Sequence, residues 1–555
     1  MKNTATKPWR SPAVDDANGG FFSLVSYSSA EKKTLKAYRD INAIGHWLRS
    51  RKPFQRDTCT LNVQLKYHSM KSFACTLLLL LSSSLFAVFA HPEAAFEKET
   101  DRIQNGLLPA AFVKGNPIRK TSLADRMFVY HATGVSIAII HNGAIRWAQG
   151  FGTLKLGGRP VTAETLFQAA SISKPVTAFA ALRLAQSGKL DLNEDVNHYL
   201  KSWKVPTNSF TEQHRVTLLE LLTHTAGTTV SGFPGYGAGT AIPTLRQILD
   251  GVPPANNPPI GIDIVPGTRF RYSGGGYVVA QQLLMDVTGQ NFPQLMHETV
   301  LGPLGMTHST FEQPIPIERM VNAAIPYRAS GEQVEGGAHV YPEMAPAGLW
   351  TTAGDLARFA IAVQNALAGR TGAILSGELA ALMVASRLGK RGVMFGVGGS
   401  LTNPYFAHSG GNEGFESYLV AFESGDGAVV MTNGEGDPGF DLTLEILRSI
   451  AHEYGWPDFR PVGYNLATLK PDRLEEYAGC YKLSSGDLVV ITRKSDHIFA
   501  QVSDGDSWEM FPHSETQFFS KIADAQITFK VEGQGRVAGI VLRKYGEDTE
   551  AERVF

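Results

Sequence analysis

Cysteine is nearly missing from this chain: Cys59, Cys75 and Cys480 are the only three in 555 residues. Cys75 lies in an apolar run with the marks of a removable leader, so after cleavage Cys480 stands alone. That excludes an intrachain disulfide framework and a cysteine-built zinc site. His297-Glu298 and His452-Glu453 each lack a second histidine four residues after the first, so the zinc-protease helix pattern is absent too. No Gly-x-Ser-x-Gly occurs, which argues against the strained nucleophile turn of an α/β-hydrolase. Charge of one sign is also lacking. Lys and Arg number 51 against 52 Asp and Glu, a net charge of −1. Nothing in that balance points to nucleic acid or to strongly acidic partners. The 43% hydrophobic content is ordinary globular material, and the length allows two or more domains.

One long apolar run is present, "MKSFACTLLLLLSSSLFAVFA", Met70 to Ala90. A lysine, an apolar stretch and small residues at Val88 and Ala90 are the pattern of a secretory signal. The reading is therefore a signal peptide over 70–90, translation starting at Met70, and residues 1–69 as a non-native or disordered extension. The mature protein then begins near His91 and is periplasmic or secreted. The alternative is an uncleaved anchor, since 73–90 is just long enough to span a bilayer. Cys75 lies inside the run rather than after it, which disfavours a lipoprotein site.

From His91 to Gly455 strands and helices mix. In "GVSIAIIHNGAIRWAQGFG" (134–152) two apolar strands flank Asn142-Gly143, a strong hairpin signal. "ESYLVAFES" and "GAVVMTN" (416–433) read as buried strands joined by Gly-Asp-Gly. Segments 216–224, 277–289 and 351–367 have helical spacing, the last opening on Thr352-x-x-Asp355, a capping-box pattern. Strands at both ends with helices between predict an α+β domain: one antiparallel sheet flanked by helices, plus a helical subdomain. Prolines and low periodicity mark a linker over 456–472. Beyond it, 473–555 alternates at strand period, as in "DLVVITR" and "RVAGIVLRK", and predicts a small β-barrel or sandwich without a concentrated catalytic set.

The chemistry concentrates in "QAASISKPVTAFAALRL" (168–184), which reads as an amphipathic helix. Pro175 is tolerated only in a first turn, so it places the helix start close to Ser171. Ser171 and Lys174, three apart, share a face, whereas Ser173 points elsewhere. A hydroxyl beside an amine is a possible nucleophile–base pair. Ser-x-x-Lys alone is weak, for Ser29-Ala-Glu-Lys32 repeats it with no other catalytic sign.

Two further segments add to it: "RYSGGGY" (271–277), with Tyr272 in a glycine-rich turn, and "HSGGNEGF" (408–415), with His408 before a strand. In this order the set resembles the serine β-lactamase and penicillin-binding superfamily, in particular its branch of class C-like β-lactamases, esterases and D-amino-acid peptidases, over roughly 110–455. The tail resembles the small β-barrel domain appended to some members. The resemblance implies Ser171 as acylated nucleophile and Lys174 and Tyr272 as the proton-transfer groups. It implies the backbone N–H groups of Ser171 and Gly411 as oxyanion hole, with Gly274, His408 and Gly410 facing the substrate. Free tyrosine and lysine, with pKa values of about 10 and about 10.4, are mostly protonated at pH 7. A neighbouring cation favours tyrosinate and desolvation favours neutral lysine, so the base is left open between Lys174 and Tyr272.

Two positions depart from the family pattern. Gly274 replaces the asparagine of Tyr-x-Asn, and His408 replaces the lysine of Lys-Thr-Gly. The first removes a side-chain amide; the second removes a fixed cation for a substrate carboxylate, because histidine is mostly neutral at pH 7. Both weaken the case for penicillin hydrolysis. The expected function is an exported serine hydrolase, an esterase first, with a D-amino-acid peptidase or β-lactamase-type amidase as alternative. A catalytically silent binder of cell-wall peptide or a protein partner is the other class. The expected partner is a small ester, amide or peptide, with no cofactor, no metal and no nucleic acid, and a membrane only if 73–90 is an anchor. His224 is expected to order the loop after its helix, Asp355 to cap, and Trp350 and Phe415 to belong to the core.

Overall fold

The computed structural model describes residues 92–385 and 394–554, apart from 504 and 506. The expected leader at 70–90 and the segment 1–69 lie outside the described residues.

Strands β1 (Gly134–His141), β2 (Ala144–Gly152), β3 (Gly396–Ser400), β4 (Asn403–Asn412), β5 (Phe415–Phe422) and β6 (Gly427–Thr432) form one sheet in the order β2-β1-β6-β5-β4-β3. Every neighbouring pair is antiparallel. The sheet thus unites the two ends of the domain. Asn142 and Gly143 turn β1 into β2 with φ of 54° and 74°, the left-handed pair that a two-residue hairpin requires.

Six helices matter for the site: α1 (Ser173–Gln186), α2 (Leu218–Leu222), α3 (Gly274–Thr288), α4 (Met344–Ala347), α5 (Ala353–Leu367) and α6 (Gly436–Tyr454). Helices α5 and α6 cover opposite faces of the sheet. Ala138 and Ile140 join the core on the α5 side, with Leu356 and Phe359. Val135, Ile137 and Ile139 join the α6 side, with Leu442, Ile446 and Ile450. Because both faces are covered, β1 reads as a nearly continuous apolar run, interrupted by the buried Ser136, rather than an alternation.

Helix α1 departs from the amphipathic reading. Every residue from Ser173 to Leu182 is buried, as expected of a helix enclosed on all sides. Its start is close to Ser171 as expected: Ala170–Ile172 is a 3-10 turn, the α-helix begins at Ser173, and Pro175 lies in its first turn. At α5 only half of the expected capping box forms. The Asp355 N–H donates to Thr352 Oγ1 at 3.1 Å. Its carboxylate turns away and accepts from the His308 N–H at 2.9 Å and Ser309 Oγ at 2.8 Å. It ties a loop down instead of closing the cap.

The segment expected as a linker carries structure of its own. Val462–Tyr464 pairs in parallel with Ala111–Val113, and a short helix starts at Pro471. The tail is a closed eight-stranded barrel: β7 (Gly479–Leu483), β8 (Leu488–Lys494), β9 (His497–Val502), β10 (Ser507–Pro512), β11 (Gln517–Ser520), β12 (Ala525–Val531), β13 (Val537–Lys544) and β14 (Glu547–Arg553). Tyr477 stacks on Phe529 in its core at 4.0 Å between ring centroids. Arg448 on α6 pairs with Asp524 of the barrel at 2.7 Å, and Tyr464 stacks on Phe519 at 4.4 Å.

Phe359 is fully buried and meets Phe179 of α1 edge-on at 5.7 Å. Phe359→Ala is expected to lower stability by about 3–5 kcal/mol through the cavity it leaves. Leu401→Ala, at a fully exposed position, should stay within about 0.5 kcal/mol. Equilibrium urea unfolding of the two variants checks the difference.

Candidate active site

Ser171 sits in the 3-10 turn that leads into α1. The residue before it, Ala170, has φ of 47°, a left-handed conformation that costs an L-residue roughly 1–2 kcal/mol. The surroundings hold it there. Ala169 O accepts from Ser417 Oγ at 3.1 Å, and Asn412 Nδ2 donates to Gln168 Oε1 at 2.7 Å and Ala347 O at 3.1 Å. These bonds tie β4, β5 and α4 to the turn.

Lys174 Nζ donates to Ser171 Oγ at 2.9 Å and to Pro346 O of α4 at 3.1 Å. Lys174 is 3% exposed, and among the described residues no carboxylate pairs with it. Ser173 faces away: its Oγ accepts the Leu349 N–H at 3.0 Å in the buried interior. Tyr272 reaches the same ammonium from the opposite wall, its ring centroid 4.8 Å from Lys174 Nζ. Lys174 is therefore the shared neighbour of Ser171 and Tyr272.

Strand β4 brings the third motif. β3 pairs with β4 only as far as Ala407, so among the described residues no strand covers His408 to Gly411 on that side, and His408, Ser409 and Gly411 line one cavity with Ser171. Gly410 makes the approach possible: a Cβ there would stand 2.2 Å from Ala169 O and 3.0 Å from the Ser171 nitrogen. Gly411 lines the open cavity with Ser171, Tyr272, His224 and His408. Glu416 lies opposite Gly411 in the β4–β5 register. Burial pushes its pKa well up, opposed by the hydrogen bond from the Gly436 N–H and reinforced by Asp437 and Glu435.

Gly274 is placed differently from its expected substrate-facing role. It is the first residue of α3 and is buried, and a Cβ there would meet Phe233 Cε2 at 3.0 Å and Ser231 O at 3.2 Å. It is not part of the cavity wall, and a side chain there would need Phe233 and Ser231 to give way by a few tenths of an ångström. Gly410 is likewise off the wall; its contact is with the turn carrying Ser171.

His408 is half-buried, and its pKa is lowered to about 4 by burial and then by the charge on Lys174. Its protonation is deferred relative to the unfolded value of about 6.5. The linked stability is therefore complete above about pH 6.5 and falls as pH drops from there towards about 4. His224 is held well below its ordinary value by burial and then by Lys174. Its Nδ1 accepts the Ser273 N–H at 3.1 Å and its ring lies 4.4 Å from that of Tyr272. It thus orders the segment carrying Tyr272 and forms part of the site wall, a contact that its place after α2 did not signal. Trp350 and Phe415 are buried and pack edge-on at 5.6 Å; both belong to the core.

The cavity holds about 810 Å³ and extends from Ser171 past Phe395, Tyr405 and Tyr418 to Phe440. Its far wall includes Lys544, Tyr545 and Glu547 of the barrel. Strand alternation in the tail gives no hint of this, because it does not say where a hairpin tip lands.

An antiparallel sheet that meets a Ser-x-x-Lys helix start is the framework of the serine β-lactamase class of hydrolases. The chain belongs to the beta-lactamase family, which it matches over residues 120–452, more than half its length; residues 465–553 match a domain of unknown function, DUF3471. It is 22% identical over 458 residues to a penicillin-binding protein of Bacillus subtilis (strain 168), covering 76% of this chain and 95% of that protein. It is 28% identical over 386 residues to penicillin-binding protein 4 of Amycolatopsis lactamdurans, covering 64% and 95%. Among solved structures, the octameric penicillin-binding protein homologue from Pyrococcus abyssi shares the fold, with a TM-score of 0.52 at 21% identity over 78% of this chain and 98% of that one.

Lys174→Ala and Tyr272→Phe are each expected to lower kcat/KM for a hydrolysed substrate by about a hundredfold or more, within the ~10²–10⁴ typical of proton-transfer groups. Steady-state kinetics of both variants checks this.

Proposed function

We propose that the protein is an exported serine hydrolase that forms an acyl-enzyme on Ser171 and acts best on esters. The single observation that carries the reading is the buried Lys174 ammonium, 2.9 Å from Ser171 Oγ and without a carboxylate partner among the described residues. An ammonium paired with a carboxylate is a structural ion pair. One held against a hydroxyl and a carbonyl oxygen is poised for proton transfer.

The steps follow from the positions. Tyr272 as the phenolate, favoured by the neighbouring Lys174 ammonium, or Lys174 as the neutral amine, takes the Ser171 Oγ proton as Oγ attacks the substrate carbonyl. The N–H groups of Ser171 and Gly411 stabilise the oxyanion, an effect worth about 2.7–4 kcal/mol per donor in other hydrolases. Collapse expels the alkoxide, which receives the proton, and water then releases the acid by the same route.

Ester preference is supported by two substitutions acting together. His408 is neutral at pH 7, so the cation that would anchor a substrate carboxylate is missing. Gly274 has no side chain and lies off the cavity wall, so the start of α3 brings no amide to an amide substrate. An alkoxide leaves more readily than an amine and needs less help. D-amino-acid peptides or amides are the second reading, since an N-terminal amine is held without that cation. The names of the relatives suit β-lactam binding, but slow turnover is expected for the same reasons.

Under one condition, kcat/KM for p-nitrophenyl acetate or butyrate should exceed that for D-Ala p-nitroanilide and nitrocefin. Nitrocefin turnover near the diffusional range with inert esters would overturn the proposal. His408→Lys should lower KM for carboxylate-bearing substrates and leave neutral esters nearly unchanged. In the unaltered protein, lowering the pH from 7 to 5 should not produce that gain, because His408 titrates near pH 4.

A further inference from the structure

The turn between β13 and β14 is Tyr545-Gly546, with φ of 53° and 82°. Both residues are left-handed, as in the Asn142-Gly143 turn of the main sheet. Asparagine or glycine is the inexpensive choice at the first of these positions, and a bulky ring there is disfavoured. Local structure therefore does not explain Tyr545. Its surroundings do. The ring meets Phe440 of α6 edge-on at 4.6 Å, and its hydroxyl lies 3.3 Å from Asp437 Oδ1. Its backbone N–H donates to Asp524 O at 3.1 Å. The preceding Lys544 pairs with Asp437, which fixes the hairpin tip on α6. Tyr545 and Phe440 then form the end of the cavity that opens on Ser171, with Tyr405, Tyr418 and Phe395 between.

We infer that Tyr545 is a specificity-determining residue, and that the barrel completes a subsite for an aromatic or bulky apolar group carried by the substrate away from the scissile carbonyl. The inference rests on the proposed hydrolase reading for the identity of the reacting group, not for the subsite itself. A row of rings favours an aromatic occupant, which stacks and meets edges as these rings meet one another. The tail is then a wall of the site and not a separable appendage.

The test uses the full chain and Tyr545→Asn, which removes the ring while suiting the left-handed turn, so that relieved backbone strain offsets part of the packing lost against Phe440; calorimetric unfolding verifies that the variant is folded, and Tyr545→Phe is the control. The ratio of kcat/KM for p-nitrophenyl 4-phenylbutyrate to that for p-nitrophenyl acetate should fall about tenfold in Tyr545→Asn, the factor that ~1.4 kcal/mol produces. The loss should come through KM, and Tyr545→Phe should stay near the original ratio. Calorimetric binding of 4-phenylbutan-1-ol reads the subsite without turnover and should weaken by a similar factor. If neither ester is hydrolysed, the esterase reading fails, and the alcohol still decides the subsite. An unchanged ester ratio, equal alcohol binding by the two proteins, or no binding by either would overturn the inference.

Discussion

A lysine ammonium in the protein interior governs this site. Lys174 is 3% exposed, and its hydrogen bonds run to a hydroxyl and a backbone carbonyl. Such a charge is costly to desolvate unless its donors are satisfied. The structure meets that need by bringing three remote pieces together: the turn with Ser171, the carbonyl of Pro346, and the ring of Tyr272. The two nearby imidazoles accommodate the charge by staying neutral. Burial first, and then the charge on Lys174, holds His408 below its ordinary pKa, so the same lysine that bonds Ser171 also bears on the imidazole at the cavity wall.

The sheet supplies the geometry. β3 stops pairing at Ala407, and beyond it His408, Ser409 and Gly411 of β4 line one cavity with Ser171. Glycine at 410 lets the two backbones approach more closely than any side chain would allow. The strained φ at Ala170 is maintained from outside by bonds from β4 and β5. Strain held in this way is common where a reactive group must be presented in one orientation.

Much of this was legible from local pattern. The Asn142-Gly143 hairpin, the paired ends of the sheet, the tail barrel and the three-residue spacing of Ser171 and Lys174 all follow from short-range rules. What escaped depends on long-range packing. The helix after Ser171 looked amphipathic because polar residues open it, yet tertiary structure encloses it entirely. Asp355 looked like a cap, but its carboxylate found better donors at His308 and Ser309. Gly274 looked like a missing amide at the substrate, whereas it is buried at the start of α3, with Phe233 and Ser231 close around it and the cavity wall elsewhere. The contribution of Tyr545 was invisible because strand alternation specifies a hairpin without saying which surface its tip will meet.

The central claim is that Ser171, and not its buried neighbour Ser173, carries the acyl group. Labelling the full chain with a fluorophosphonate, followed by peptide mapping, tests it most directly. The account predicts a single label on Ser171, lost in Ser171→Ala and retained in Ser173→Ala. A label on Ser173, or persistent labelling and turnover in Ser171→Ala, would contradict it.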